Sequence, residues 1–189
     1  MNANLLARNA VEGRRPPLVG LTGRIGSGKS FAAALMRERH GFTIHSFAYP
    51  LKAMLMTLGL DEDQVNGARR SEPCDLLCGK TPRHAMQTIG TEWGRDLIGA
   101  DLWVNAWKVG LPAGPVVADD VRFANEARAV RSLGGVVIRV IDIYDALEED
   151  ELHASEQLDF APDVTLFNNK DAAFASVLDM ALIRFLGLS

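Results

Sequence analysis

A glycine-rich segment, Gly23 to Ser30, has the spacing of a phosphate-binding loop. It reads G-R-I-G-S-G-K-S and fits the pattern G-x-x-x-x-G-K-[ST] at every fixed position. Glycines let backbone N–H groups turn towards phosphate oxygens, the lysine adds a point charge, and the hydroxyl after it can hold Mg²⁺. The segment therefore predicts a site for the phosphates of a nucleotide, formed by Gly23, Arg24, Gly26, Ser27, Gly28, Lys29 and Ser30.

A second polar stretch follows Thr81-Pro82, a pair that is typical of a helix start. On an α-helix that continues from there, the spacings i, i+4, i+7 and i+8 place on one face Arg83, Gln87, Gly90 and Thr91. Arginine can grip a phosphate with its planar fork, and glutamine can donate and accept hydrogen bonds at a base edge. A solvated helix face explains the same spacing equally well. Trp103, further along, is either a core residue or a stacking wall for a base.

A third group of chemically active residues follows the apolar run 115–118. Asp119, Asp120 and Arg122 come directly after this predicted strand. Because the carboxyl ends of parallel strands face the ligand crevice, these side chains are expected beside the phosphate loop. Asp120 is then the candidate for Mg²⁺ or its water shell, whereas a turn or helix cap is the favoured interpretation of Asp119. Asn168 and Asn169, after the last predicted strand, either line an adenine or form a simple turn.

Strands alternate with helices along the chain, which predicts an α/β fold with a parallel sheet covered on both faces. Five strands are expected near 18–22, 43–47, 115–119, 136–141 and 163–167, and a closing helix over 171–186. The interval of about 48–114 is too long for one crossover and predicts an inserted helical arm. A shorter insertion, about 142–163, is the natural place for a lid.

Composition limits the classes of protein to consider. The 189 residues are 48% hydrophobic, enough for one domain over 16–189 after a flexible leader over 1–15. The net charge of −4 argues against a nucleic-acid partner, and no apolar run is long enough for a membrane partner. Cys74 and Cys78 lack the second pair that structural zinc requires, so they are interpreted as reduced thiols of a cytoplasmic protein.

Longer motifs give the chain a family resemblance. It contains G-K-T-P-R-x-x-x-Q-x-x-G-T-E-W-G-R-D with D-L-W-V, then D-V-R-F-x-N-E-A, then H-x-S-E. This combination resembles the phage-type deoxynucleoside monophosphate kinases, a branch of the P-loop kinases, from about Leu18 to the last helix. Many members of that family have Asp-Thr after the loop lysine, whereas this chain has Ser30-Phe31. Metal binding through Ser30 therefore follows the broader P-loop pattern.

The resemblance implies a three-layer P-loop fold, ATP as phosphate donor, a deoxynucleoside 5′-monophosphate as acceptor and Mg²⁺ as cofactor, in the host cytoplasm if a bacteriophage encodes the chain. A homodimer is left open. The resemblance assigns acceptor roles to Arg83, Gln87, Gly90, Thr91 and Trp103, active-site roles to Asp120, Arg122 and Glu126, and lid positions to His153, Ser155 and Glu156. The catalytic set expected from these assignments is Lys29, Arg83, Asp120 and Arg122.

Other functions share some of these features. A dephospho-coenzyme A kinase has the same loop and sheet, but its P-L-L-x-E pattern is not found here. A P-loop ATPase or GTPase needs a residue that positions water, and Asn169-Lys170-Asp171 is not N-K-x-D. A nucleotide-binding module without catalysis is the non-enzyme alternative, and the presence of Lys29 and Arg122 argues against it.

Overall fold

The computed structural model describes residues 16–144 and 159–188. Within these ranges the strands form one parallel sheet in the order β2-β3-β1-β4-β5. The strands are β1 (Leu18–Thr22), β2 (Thr43–Ile44), β3 (Val116–Ala118), β4 (Val136–Asp142) and β5 (Val164–Asn168). The helices are α1 (Lys29–His40), α2 (Tyr49–Thr57), α3 (Glu62–Val65), α4 (Pro82–Gln87), α5 (Leu102–Val109), α6 (Ala124–Ser132) and α7 (Ala173–Leu186), with a π-helix over Thr88–Ile98 and 3₁₀ turns at Ala68–Ser71 and Asp75–Leu77.

The predicted α/β class and the parallel five-stranded sheet are confirmed. Strand ends differ from prediction by at most one residue except in β2, which was expected over 43–47 and spans Thr43–Ile44. His45 still donates its backbone N–H to the Val117 carbonyl at 2.9 Å, and the chain leaves the sheet after it. The last helix begins at Ala173, two residues later than predicted, because Asp171 accepts the backbone N–H of Ala173 and ends the preceding turn.

Helices cover both faces of the sheet. On one face, α1 and α7 pack against alternate residues of the central strands, with Val19, Leu21, Ile138 and Val140 in the same buried cluster as Met36 and Leu178. On the other face, Gly20 lies against Val121 and against Val130 of α6. A parallel sheet is buried on both faces, which explains why β1 is apolar along almost its whole length rather than alternating.

Contacts divide the chain into two units. The first unit contains the sheet and comprises the residues up to Ser46 and those from Leu111 onwards, and the second is Phe47–Gly110. The second unit has its own buried cluster around Leu55, Leu60 and Val65. Its role as an acceptor-binding arm stays a prediction.

Two predicted segments lie outside the described residues. They are the leader over 1–15 and the central part of the predicted lid, including His153, Ser155 and Glu156. Within the described ranges, no helix combines the length and the apolar character needed to cross a membrane.

Candidate nucleotide-phosphate site

The phosphate loop connects β1 to α1 at the carboxyl edge of the sheet. All five residues of β1 are buried, so the strand fixes where the loop begins. Gly23 and Gly28 have φ values of 139° and 98°, a region that side chains rarely adopt. A Cβ at position 23 would also collide with the carbonyl oxygen of Val140 in β4. The loop therefore requires glycine at these two positions for conformation and for space.

Lys29, the first residue of α1, lies across the loop. Its half-buried Nζ donates to the carbonyl oxygens of Gly23 at 2.7 Å and Arg24 at 2.6 Å. An ammonium group held in this way places its charge at the start of the loop, where a bound phosphate would meet it. Ser30, the second residue of α1, is exposed, and Ser27 is buried.

Two carboxylates directly follow β3, the strand that lies between β1 and β2 in the sheet. Asp119, directly after β3, accepts a hydrogen bond from Ser46 Oγ at 2.6 Å. Ser46 follows β2, and sequence reasoning missed it. The available signal was that a serine and an aspartate each follow a strand that ends at the same edge of the sheet. Asp120 is half-buried and Arg122 is exposed.

Glu126, in the first turn of α6, contacts the turn that precedes the helix. Its buried carboxylate accepts the backbone N–H of Arg122 at 2.8 Å and of Phe123 at 3.2 Å. A glutamate in the first turn of a helix satisfies N–H groups that lack partners within the helix. Glu126 thus fixes the turn that presents Arg122, and its predicted contact with an acceptor stays a prediction.

An ion pair that sequence reasoning did not find lies at the ends of β4 and β5. Lys170 Nζ contacts Asp142 Oδ2 at 2.5 Å, and the Asp142 side chain is 3% exposed. The hydrogen bond from Lys170 holds the pKa of Asp142 below its usual range. In the same region Asn168 Nδ2 donates to the carbonyl oxygen of Ser27, and Asn169 is exposed and donates to Asp171.

The second unit holds the predicted acceptor residues. Thr81 Oγ1 accepts the backbone N–H of His84 at 3.1 Å, which confirms the predicted cap of α4, and Arg83 and Gln87 are exposed on that helix. The α-helical spacing assumed for Gly90 and Thr91 is wrong, because both lie in the π-helix, where hydrogen bonds join residues i and i+5. A single α-helical face through all four residues is therefore not formed.

Trp103 packs inside the second unit. The residue is 5% exposed, and its indole N–H donates to the carbonyl oxygen of Gly90 at 2.8 Å. A Cβ on Gly94 would collide with the same ring. Trp93 is 40% exposed, with its ring centroid 6.2 Å from that of Trp103. This burial and these contacts fit the core residue, which is one of the two interpretations of Trp103, and its predicted acceptor role stays a prediction.

The donor atoms at the carboxyl edge suit a hard cation. Among residues 16–144 and 159–188, no group of three or more His, Cys, Asp or Glu side chains is arranged to hold a metal ion. Mg²⁺ does not need such a group, because it keeps several waters and is bound through one or two protein oxygens together with substrate phosphates. The Ser30 hydroxyl and the Asp120 carboxylate offer oxygen atoms of this kind, and their role as Mg²⁺ ligands stays a prediction.

The central strand of the parallel sheet leads into a glycine-rich loop that a lysine crosses, and carboxylates lie at neighbouring strand ends. This arrangement defines a P-loop protein that binds nucleotide phosphates. No profile of a protein family matches the chain. A protein of Acanthamoeba polyphaga mimivirus, provisionally named deoxynucleotide monophosphate kinase, is 34% identical over 173 residues, which cover 81% of this chain and 89% of the viral protein. The chain belongs to the deoxynucleotide monophosphate kinase family, and it is a nucleotide kinase.

Solved structures of other kinases resemble the chain more distantly. The APS kinase of Mycobacterium tuberculosis is 14% identical with a TM-score of 0.47, over 92% of this chain and 99% of that one. A sugar kinase from Janibacter is 16% identical with a TM-score of 0.43, over 93% of this chain and 96% of that one.

Proposed function

We propose that the chain transfers the γ-phosphoryl group of ATP to a deoxynucleoside 5′-monophosphate, giving ADP and the deoxynucleoside diphosphate. The observation that carries this proposal is the phosphate loop with Lys29 across it, in a chain that belongs to this family. The product would supply DNA synthesis, for a bacteriophage or another virus that encodes the chain. The acceptor class rests on the family and on the exposed Arg83 and Gln87.

The chemistry needs alignment and positive charge. An acceptor phosphate is largely ionised near neutral pH, so its oxygen attacks the γ-phosphorus without a general base while the bond to the β-phosphate oxygen breaks. Catalysis is then positioning together with cations around the moving phosphoryl group. Mg²⁺, held by Ser30 and Asp120, would neutralise charge on the phosphates of ATP.

The cations available in this chain define the expected roles. Lys29 serves the donor phosphates, and Arg122 extends from the turn that Glu126 fixes. Arg139 in β4 is level with Thr22, the residue just before the phosphate loop, and is a further candidate, as is Arg24. Arg83 is proposed for the 5′-phosphate of the acceptor.

Arg83→Lys tests the acceptor assignment. The variant keeps the charge and loses the planar fork. The transition-state stabilisation measured by acceptor-dependent kcat/KM should therefore fall by about 1.5–3 kcal/mol. The affinity for ATP should change little, because the loop contacts remain. Steady-state kinetics with the monophosphate varied, and separate titration of ATP, measure the two effects.

Arg70→Lys is the matched control for that experiment. Arg70 is exposed in the same unit and donates from Nε to the carbonyl oxygen of Gly67, so the same substitution should leave both constants unchanged. An Arg83→Lys variant with weaker ATP binding and unchanged acceptor kinetics would place Arg83 at the donor site and contradict the proposal.

A further inference from the structure

Asn168, the last residue of β5, contacts the phosphate loop from inside the protein. The residue is 3% exposed, and its Nδ2 donates to the carbonyl oxygen of Ser27 at 3.0 Å. Its Oδ1 accepts the backbone N–H of Lys170 at 2.9 Å. Because a carbonyl only accepts and a peptide N–H only donates, these two partners fix the orientation of the amide.

The amide also packs directly on the next residue of the loop. A Cβ at position 28 would collide with Asn168 Nδ2, so the glycine is needed there for space as well as for its φ of 98°. The same packing covers Asn168 almost completely. A side chain buried in this way has no free face on which a nucleobase could stack.

The turn after β5 holds the amide from the other side. Lys170 has a φ of 58° and its Nζ pairs with Asp142 at the end of β4. The backbone N–H of Ile143 donates to the carbonyl oxygen of Asn168 at 3.1 Å. Two strand ends are therefore joined behind Asn168, and the position of its side chain is determined by the sheet.

We infer that Asn168 is a positioning residue for the phosphate loop rather than a contact for adenine. In a trans peptide the carbonyl and the following N–H point in opposite directions. Asn168 holds the Ser27 carbonyl so that it points towards Asn168. The N–H of Gly28 then points away from Asn168, where it can donate to a phosphate oxygen. This inference rests on the phosphate site of the proposed function and is independent of the acceptor.

Asn168→Asp tests the inference with almost no change in shape. The carboxylate still accepts from Lys170 N–H but presents an oxygen to the Ser27 carbonyl, so the peptide loses its donor. Binding of ATP with Mg²⁺ and binding of inorganic tripolyphosphate should each weaken about tenfold, by the same factor. The ratio of ATP affinity to GTP affinity should not change, because the substitution affects only the binding of the phosphates, which both nucleotides share.

Hydrogen exchange gives a second readout that does not depend on binding. In the folded variant, the amides of residues 23–30 should exchange faster than in the unaltered protein. Asn168→Ala removes the same donor without adding a negative charge, so weaker tripolyphosphate binding in both variants separates loss of the hydrogen bond from repulsion of the phosphates, and it also serves if Asn168→Asp does not fold. Asn105→Asp, the same chemical change at an exposed position of α5, should leave all of these quantities unchanged.

Three results would overturn the inference: unchanged tripolyphosphate affinity in the Asn168 variants, a changed ratio of ATP to GTP affinity, or unchanged exchange in the loop. An unaltered protein that binds neither ATP nor tripolyphosphate would remove the inference and the proposed function together. An unaltered protein that binds ATP but phosphorylates no deoxynucleoside monophosphate removes only the proposed function.

Discussion

Lys29 combines two tasks at the residue scale. Its Nζ is bonded to the first two carbonyls of the phosphate loop, which keeps the ammonium inside the loop and limits its rotamers. A charge that is already in position requires little reorganisation when phosphate charge develops, which is the basis of electrostatic catalysis. The lysine stabilises the loop through the same atoms that would serve the donor phosphates.

Replacement of Lys29 by methionine should separate folding from catalysis. The two carbonyls are part-buried and within reach of water, so the fold should survive, whereas turnover with ATP should fall by several orders of magnitude. Circular dichroism and kcat measure the two effects, with Lys108→Met, at an exposed position of α5, as the matched control. Turnover close to that of the control would remove the loop lysine from the mechanism.

At the element scale, α7 fixes the helix that follows the phosphate loop. Asp179 in α7 accepts from Arg39 at 2.7 Å and pairs with His40 at 2.8 Å, both in the last turn of α1. The apolar side of α7 is buried with Phe174, Leu178 and Leu182. Because α1 begins in the loop, these contacts at the other end of α1 help to hold the loop in place relative to the sheet.

The stabilisation that Asp179 gives by joining α1 and α7 should decrease at acid pH. Burial acts to raise the pKa of Asp179, but hydrogen bonds from His40 and Arg39 prevail and lower it from its ordinary value of 3.8. A carboxyl group with a lowered pKa stabilises the folded state fully above its ordinary pKa and loses that contribution as the pH falls through the folded value.

Asp179→Asn should therefore reduce the free energy of unfolding by about 1 kcal/mol at pH 7, and the difference should shrink below about pH 4. Urea unfolding at a series of pH values measures it. Glu38→Gln, exposed on α1, is the control and should follow the unaltered protein. A constant difference between Asp179→Asn and the unaltered protein from pH 7 to the acid range would contradict the assigned pKa direction.

Some elements could be predicted from sequence and others could not, for physical reasons. Buried strands such as β1 have continuous apolar runs, and the cap at Thr81 is a local pattern, so both were predicted correctly. The pairing of Ser46 with Asp119 joins residues 73 positions apart, which no local pattern encodes. The π-helix after Gln87 could not be told from an α-helix by its residue types, because the two differ only in which backbone groups are hydrogen-bonded.

At the scale of the whole molecule, the predicted functional residues fall into two groups, one in each of the two units. The first unit holds the phosphate loop, Asp120 and Arg122 at one sheet edge, and the second unit holds Arg83 and Gln87 on α4. Each unit has its own buried cluster. The net charge of the chain is −4, and a site for a small anion needs only local cations such as those of these two groups.

One measurement tests the central claim most directly. The protein is incubated with ATP and Mg²⁺ together with each common deoxynucleoside 5′-monophosphate in turn, with dephospho-coenzyme A, or with water alone, and the products are identified by mass spectrometry. Lys29→Met serves as the inactive reference. We expect ADP and a deoxynucleoside diphosphate in equal amounts with at least one deoxynucleoside monophosphate, and neither product with dephospho-coenzyme A. Formation of ADP only with dephospho-coenzyme A or only with water, or no ADP under any condition, would contradict the proposed function.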